Sequence, residues 1–295
     1  MNMQAQREGF RSLVSGHDCT MAAPIFDPLS ARIAEMAGWS VCKLSGSVAK
    51  ASALGLPDDV ALSNMTDTVD ICRRILSVAD VSLIVDADDG GAGPLSVRRA
   101  VRELEAVGVA AIEIDDNAAP SGYGGSQSRH SAVIPVADQV AKLRAAVAAR
   151  RDPLTVIVAR TCALQQLEAD EAVVRIAAYA AAGVDAVMLP GLPSAIARSS
   201  VMMVHEAAGL PLFVLGLPVD VVADSAFLDK NEVRIQYLPQ LPYRMAVAAI
   251  GGAFERLKAG GDLGLDGADV ASSAVQAEIT RTRELAEWER AHHDR

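Results

Sequence analysis

Leu104-Glu-Ala-Val-Gly108 followed by Ala110-Ala-Ile-Glu-Ile114 decides the fold. A helix-forming run closes in small residues and a glycine, the residue that accepts a left-handed helix cap most easily, and a buried apolar strand starts just beyond. The same joint recurs as Ala34-Glu-Met-Ala-Gly38 before Val41-Cys-Lys-Leu44 and as Tyr179-Ala-Ala-Ala-Gly183 before Asp185-Ala-Val-Met-Leu189. A fourth copy is His205-Glu-Ala-Ala-Gly209 before Leu212-Phe-Val-Leu215. Four such joints mean repeated βα units. With the remaining apolar runs, strands are expected over 19–26, 41–46, 81–88, 109–116, 154–161, 185–190, 211–216 and 232–238. Between them lie helical windows such as Val97, Ala100, Val101 and Leu104, whose spacing makes one apolar stripe. Eight strands alternating with helices predict an α/β fold of the (β/α)8 TIM-barrel type. A doubly wound open sheet is the competitor, but no GxGxxG turn follows the first strand.

No linker or change of composition divides the chain, so residues 1–295 are read as one barrel domain, with 270–295 as a polar, helix-favouring extension for packing or subunit contact. Hydrophobic residues make up 51% of the chain but aromatic ones only 4%, so the core must be mostly small aliphatic, as suits helices packed on a parallel sheet. The net charge of −10, without any long Lys/Arg block, argues against nucleic acid as a partner. No apolar run reaches the roughly 18 residues of a membrane span, and Met1 to Arg11 is polar without the apolar region of a signal peptide. A cytoplasmic protein with no membrane partner is expected. Cys19, Cys42, Cys72 and Cys162 are scattered without CxxC spacing, which fits reduced packing residues rather than a disulfide framework or zinc site.

A barrel carries its active site at the C-terminal ends of its strands, so the polar residues there are the candidates. The strongest group is Val85-Asp86-Ala87-Asp88-Asp89-Gly90-Gly91, where strand alternation would send Asp86 and Asp88 to the same side. The next strand ends in Asp115-Asp116. Converging carboxylates repel one another, and a hard divalent ion is the economical remedy: Mg²⁺ held partly through water, with Mn²⁺ as the alternative. The plainer reading is that one or two of them cap the helices that follow. Arg160 ends the fifth strand and can grip a substrate carboxylate or an acidic neighbour. Ser45-Gly46-Ser47 ends the second, where hydroxyls and backbone N–H groups can hold another carboxylate. The Gly/Ser-rich segment 117–135, with His130, has the length of a functional lid. No lysine or cysteine stands out as a well-placed nucleophile.

Taken as an ordered set, Ile25-Phe-Asp-Pro-Leu-Ser-Ala-Arg-Ile-Ala34, Ser45-Gly-Ser-Val-Ala49, Asp86-Ala-Asp88, Ser96-Val-Arg-Arg and Val158-Ala-Arg-Thr161 resemble the signature segments of the isocitrate lyase/phosphoenolpyruvate mutase superfamily. The likeness runs from about Arg11 to Lys258 and is nearest to the bacterial oxaloacetate decarboxylase branch. It implies a (β/α)8 barrel with a swapped terminal helix, a homotetramer built as a dimer of dimers, and Mg²⁺-dependent lyase chemistry on a small 2-keto or 2-hydroxy acid. Carried over by position, Asp86 is the direct metal ligand, with Asp88 and Asp115 holding its waters. Ser45, Gly46, Ser47 and Arg160 bind substrate, and Asp59 matches a further acid lining the site. The reaction implied is decarboxylation of oxaloacetate, or a close 2-keto diacid, to pyruvate.

Four departures bear on that expectation. The lyases' Lys-Lys/Arg-Cys-Gly-His loop is here Gly124-Gly-Ser-Gln-Ser-Arg-His130, without cysteine or lysine. The decarboxylases' Asp-Ala-Asp-His-Gly-Tyr-Gly is Asp86-Ala-Asp-Asp89-Gly-Gly-Ala92, and the Glu-Asp pair of the fourth strand is Asp115-Asp116, with Glu113 an added acid two residues earlier. The histidine after the last strand aligns with Gln240, with Tyr243 a second candidate; glutamine can hydrogen-bond an oxyanion but cannot shuttle a proton. Alternatives are a C–C lyase or P–C bond enzyme of the same superfamily, and a barrel that binds a small acid with little turnover.

Overall fold

A computed structural model describes residues 3–58, 62–118, 132–191, 196–260 and 270–293. Eight parallel strands close into a barrel in chain order: β1 (Thr20–Ile25), β2 (Val41–Leu44), β3 (Ser82–Asp86), β4 (Ala111–Asp115), β5 (Val156–Arg160), β6 (Ala186–Pro190), β7 (Leu212–Leu215) and β8 (Val233–Tyr237). β8 pairs with β1 to complete the ring. Each strand falls inside the run expected to form it, one to three residues shorter because the flanking residues turn into the loops. The four glycines at the αβ joints have positive φ, from +59° at Gly209 to +100° at Gly108, the left-handed conformation that the joint requires.

Side chains alternate between two apolar layers. Cys42, Leu44, Leu83, Val85, Ile112, Ile114 and Ile157 face outward against the surrounding helices. Ala22, Val41, Ile84, Ala111, Val158, Met188, Phe213 and Ile235 fill the barrel. The N-terminal end is plugged by the helix Met3–Ser15, whose Phe10 is fully buried and packs edge-on to Phe213 with ring centroids 6.2 Å apart. Arg7 and Arg11 fix the plug: Arg7 Nη1 lies 2.7 Å from Asp152 Oδ2 and Arg11 Nη1 2.7 Å from Asp185 Oδ1. Apolar contact and ion pairs close that end, which leaves the opposite face, at the C-terminal ends of the strands, for a ligand.

The helix that follows β8, Leu241–Ala259, buries none of its residues and exposes Met245, Ile250 and Phe254. The polar extension forms two helices, Ser273–Ile279 and Thr282–His293, rather than one. Arg32 donates to the carbonyls of Glu278 and Ile279, and Arg281 pairs with Glu35, which docks the extension on the helix Pro28–Met36. No described helix is long and apolar enough to cross a membrane. All four cysteines are free, and Cys42, Cys72 and Cys162 are buried, as expected of packing residues.

Candidate active site

β3, β4 and β5 bring the predicted residues together at the open end. Asp86 is the last residue of β3 and Arg160 the last of β5, and Arg160 Nη1 reaches Asp86 Oδ2 at 2.5 Å. Asp115 ends β4, is the register partner of Arg160, and places Oδ2 3.7 Å from its Nε. Backbone and side-chain N–H groups of Asn117 both donate to Asp115, at 2.6 and 2.8 Å. Burial pushes the Asp115 carboxyl up to about 6, opposed by Arg160 and reinforced by Asp86. Burial also works against the Arg160 charge, but Asp86, Asp115 and Glu113 outweigh it and hold its pKa well above the ordinary value.

Asp88 joins this group by a route that strand alternation does not describe. β3 ends at Asp86, and Asp88 takes φ +52°, a left-handed conformation that aspartate tolerates better than most residues. Its carboxylate meets Lys50 Nζ at 2.8 Å and lies so close to Gly46 that a Cβ there would come within 2.8 Å of Oδ1. Gly46 N donates to Asp86 Oδ2 at 3.4 Å, so both aspartates border the first residue of the helix Gly46–Leu54. Ser45 precedes that helix with Oγ 3.2 Å from Ser47 Oγ, which puts two hydroxyls beside a helix N-terminus suited to anions.

The remaining predicted positions are more scattered. Asp59 and His130 lie outside the described residues, as does most of the segment read as a lid; its ends pair at Asn117 and Val133. The neighbouring Asp58 accepts from Lys50 at 3.0 Å. Gln240 follows β8 at the start of the helix Leu241–Ala259, and Tyr243, one turn on, packs edge-on to Phe26.

Lysines do stand at the site, each engaged by a carboxylate rather than offered as a nucleophile. Besides Lys50 at the mouth, Lys43 of β2 points into the barrel and pairs with Glu113 Oε2 at 2.5 Å. Glu113 is fully buried and also accepts from the Tyr237 hydroxyl. Lys43 lies 5.2 Å from the centroid of the Tyr237 ring. Alternation puts Lys43 on the same face as Val41, and closure of the barrel turns that face inward.

Two layers stack at the site: Asp86, Asp88, Asp115 and Arg160 above, and the Lys43–Glu113 pair with the neutral Tyr237 hydroxyl beneath. Among the described residues, no three His, Cys, Asp or Glu side chains stand as a ready-made metal cluster. Asp86 faces Arg160, Asp88 faces Lys50 and Asp115 faces Asn117. The donors near the mouth are nonetheless hard carboxylate oxygens, with the one neighbouring thiol, Cys162, pushed up to about 11 chiefly by burial.

Residues 10–258 match the family model described as phosphoenolpyruvate phosphomutase. The chain belongs to that family. It is 35% identical over 288 residues to oxaloacetate decarboxylase of Rhodopseudomonas palustris (strain BisB18), covering 98% of this chain and 93% of the relative. Its fold matches the crystal structure of 2,3-dimethylmalate lyase, described as a PEP mutase/isocitrate lyase superfamily member, with a TM-score of 0.80 and 27% identity over 97% of this chain and 98% of that one. Oxaloacetate acetylhydrolase in complex with the inhibitor 3,3-difluorooxalacetate matches with a TM-score of 0.81 and 26% identity, covering 97% and 96% of the two chains. The chain is an enzyme of the lyase class, the class of its oxaloacetate decarboxylase and 2,3-dimethylmalate lyase relatives.

Proposed function

We propose that the chain decarboxylates oxaloacetate, or a close 2-keto diacid, to pyruvate and CO2 with the help of a divalent cation. The observation that carries this reading is Arg160 held among Asp86, Asp115 and Glu113 at the open end of the barrel, a fixed cation within an excess of carboxylates. The donor set suits Mg²⁺, or Mn²⁺, bound directly by Asp86 with Asp88 and Asp115 holding its waters, because Mg²⁺ retains water readily and one or two carboxylates suffice. Such an ion supplies Lewis-acid stabilisation of the negative charge that develops on the 2-keto oxygen.

The protein's own groups do the rest. Arg160 presents N–H donors to a substrate carboxylate, while the hydroxyl of Ser47 and the N–H groups at the start of the Gly46–Leu54 helix receive its other oxygens. The bond between the β-carbon and its carboxylate breaks, CO2 departs, and the electron pair enters the enolate of pyruvate. A proton added at that carbon gives pyruvate, and no covalent nucleophile is needed. Asn117 holds the Asp115 carboxylate in place, and Lys50 does the same for Asp88. The apolar face of Leu241–Ala259 supports assembly with further copies of the chain.

The test is pyruvate formation from oxaloacetate by purified protein with Mg²⁺, above the metal-only rate. Asp86→Ala should lower the protein-dependent rate by roughly 10²- to 10³-fold, the scale of losing a main electrostatic element of a site. A wild-type rate equal to the metal-only background, while 2,3-dimethylmalate is cleaved, would replace this reading with the other lyase reaction.

A further inference from the structure

Beneath Arg160 lies a charged pair that the proposed reaction does not use. Glu113 is fully buried inside the barrel, and its Oε2 faces two cations at once: Lys43 Nζ at 2.5 Å and Arg160 Nη1 at 3.9 Å. Its Oε1 is taken by the Tyr237 hydroxyl, whose pKa burial and the Glu113 charge push well above the usual tyrosine value, so that it stays a donor. The same Arg160 nitrogen is 2.5 Å from Asp86 Oδ2. Arg160 therefore stands between a carboxylate at the mouth and one in the interior, and Lys43 is what makes the contest unequal.

We infer that Lys43 is a positioning residue for Arg160: by engaging Glu113 from below, it stops that carboxylate from drawing the guanidinium away from the substrate. An ionised Glu113 without Lys43 would have Arg160 as its nearest cation, in surroundings where attraction between charges is weakly screened and rises as they approach. The guanidinium would sink toward Glu113 and leave Asp86. Lys43 thus acts on substrate binding through Glu113, without touching substrate. The inference rests on the reading that Arg160 binds a substrate carboxylate, and the control below separates the two.

Calorimetry with oxalate, in saturating Mg²⁺, reads the consequence directly. Lys43→Met should weaken oxalate about 10-fold, the low end of what loss of a supporting residue costs a site. It should raise the KM for oxaloacetate more than it lowers kcat. Lys43→Arg, which keeps the charge, should stay within about threefold of wild type, and so should Lys43→Met combined with Glu113→Gln, because removing both charges leaves nothing to pull Arg160 down. A lysine acting only on stability would leave oxalate affinity unchanged in folded Lys43→Met. That result overturns the inference, as does a doubly substituted protein that binds oxalate more than about 10-fold worse than wild type. If Lys43→Met alone does not fold, Lys43→Gln, which keeps a hydrogen-bond donor for Glu113 but no charge, takes its place: weakened oxalate binding supports the inference and unchanged binding overturns it. Arg160→Met is the control: if it binds oxalate as wild type does, the reading of the site fails; if it loses oxalate while Lys43→Met does not, only the positioning role fails.

Discussion

Asp115 and Asp116 are neighbours in sequence, both buried, both with carboxyl groups pushed up by burial, yet they occupy different worlds. Alternation at the end of β4 sends Asp115 into the barrel mouth and Asp116 behind the sheet. There Asp116 Oδ2 accepts from Thr161 Oγ1 and the Tyr179 hydroxyl, both at 2.7 Å, and lies 3.4 Å from Arg175. Arg175 in turn donates to the Tyr179 oxygen and to the carbonyl of Ile134. That network ties β4 and β5 to the helix Ala169–Ala180 and to the return of the segment after β4. Its charges compensate one another locally. Asp115 has Asn117 fixed on it and Arg160 at 3.7 Å, and it faces the cluster of Asp86 and Arg160 at the strand ends. The difference separates a carboxylate that holds the scaffold from one that the scaffold holds.

The largest effect expected from this contrast is on stability, at Asp116. Asp116→Ala removes the acceptor of two hydroxyls and leaves Arg175 buried without its carboxylate, which should cost about 3–5 kcal/mol, the scale of breaking a buried pair by deleting one partner. Activity per folded molecule at low temperature should stay near wild type. Urea unfolding alongside the oxaloacetate assay checks both, and a variant of wild-type stability that has lost turnover would place Asp116 in the site after all.

Asp115→Asn should do the reverse. It keeps the shape and a hydrogen-bonding oxygen but loses the charge, and kcat/KM should fall about 10- to 100-fold, as for loss of a group that orients a metal or its waters. The midpoint for Mg²⁺ activation should move to higher concentration. If activity and Mg²⁺ dependence are both unchanged, Asp115 belongs with Asp116 as scaffold.

What was legible beforehand follows the same division between local and distant causes. The strands, their glycine joints and the strand-end positions of Asp86, Asp115 and Arg160 all follow from spacing within some ten residues, and a barrel then fixes which end they share. Lys43 and Tyr237 are not legible in local spacing because their partner, Glu113, is 70 residues from one and 124 from the other, and closure of the barrel brings the three together. Glu113 itself showed as an acid inside an apolar run, an anomaly whose partners local spacing does not name. Alternation predicts Asp88 at the site, but a left-handed residue in the loop, rather than the pleat of a strand, carries it to Gly46 and Lys50. The docking of the C-terminal extension as two helices depends on Arg32 and Glu35, far away in sequence, and no local pattern announces it.

The smallest effect is the one that reads the Asp115 environment most directly. Its carboxyl is raised from the ordinary 3.8 to about 6, so between those values the folded protein binds a proton that the unfolded chain releases. Stability from this group is therefore lost as pH rises through that window and is level above it. Two pKa units set an upper bound of about 3 kcal/mol, and relaxation around the charge should leave on the order of 1 kcal/mol. A neutral amide in place of the carboxyl carries no such penalty, so Asp115→Asn, measured in EDTA, should melt progressively higher than wild type as pH is raised from 4 to 7, with a constant gap beyond. Added Mg²⁺ should narrow that gap at pH 7, because a bound cation offsets in the wild type the charge penalty that the variant never had. A gap that shrinks from pH 4 to 7, or one that Mg²⁺ leaves untouched, would mean that the mouth already neutralises Asp115 with its own cations, and the contrast with Asp116 would reduce to which side of the sheet each one faces.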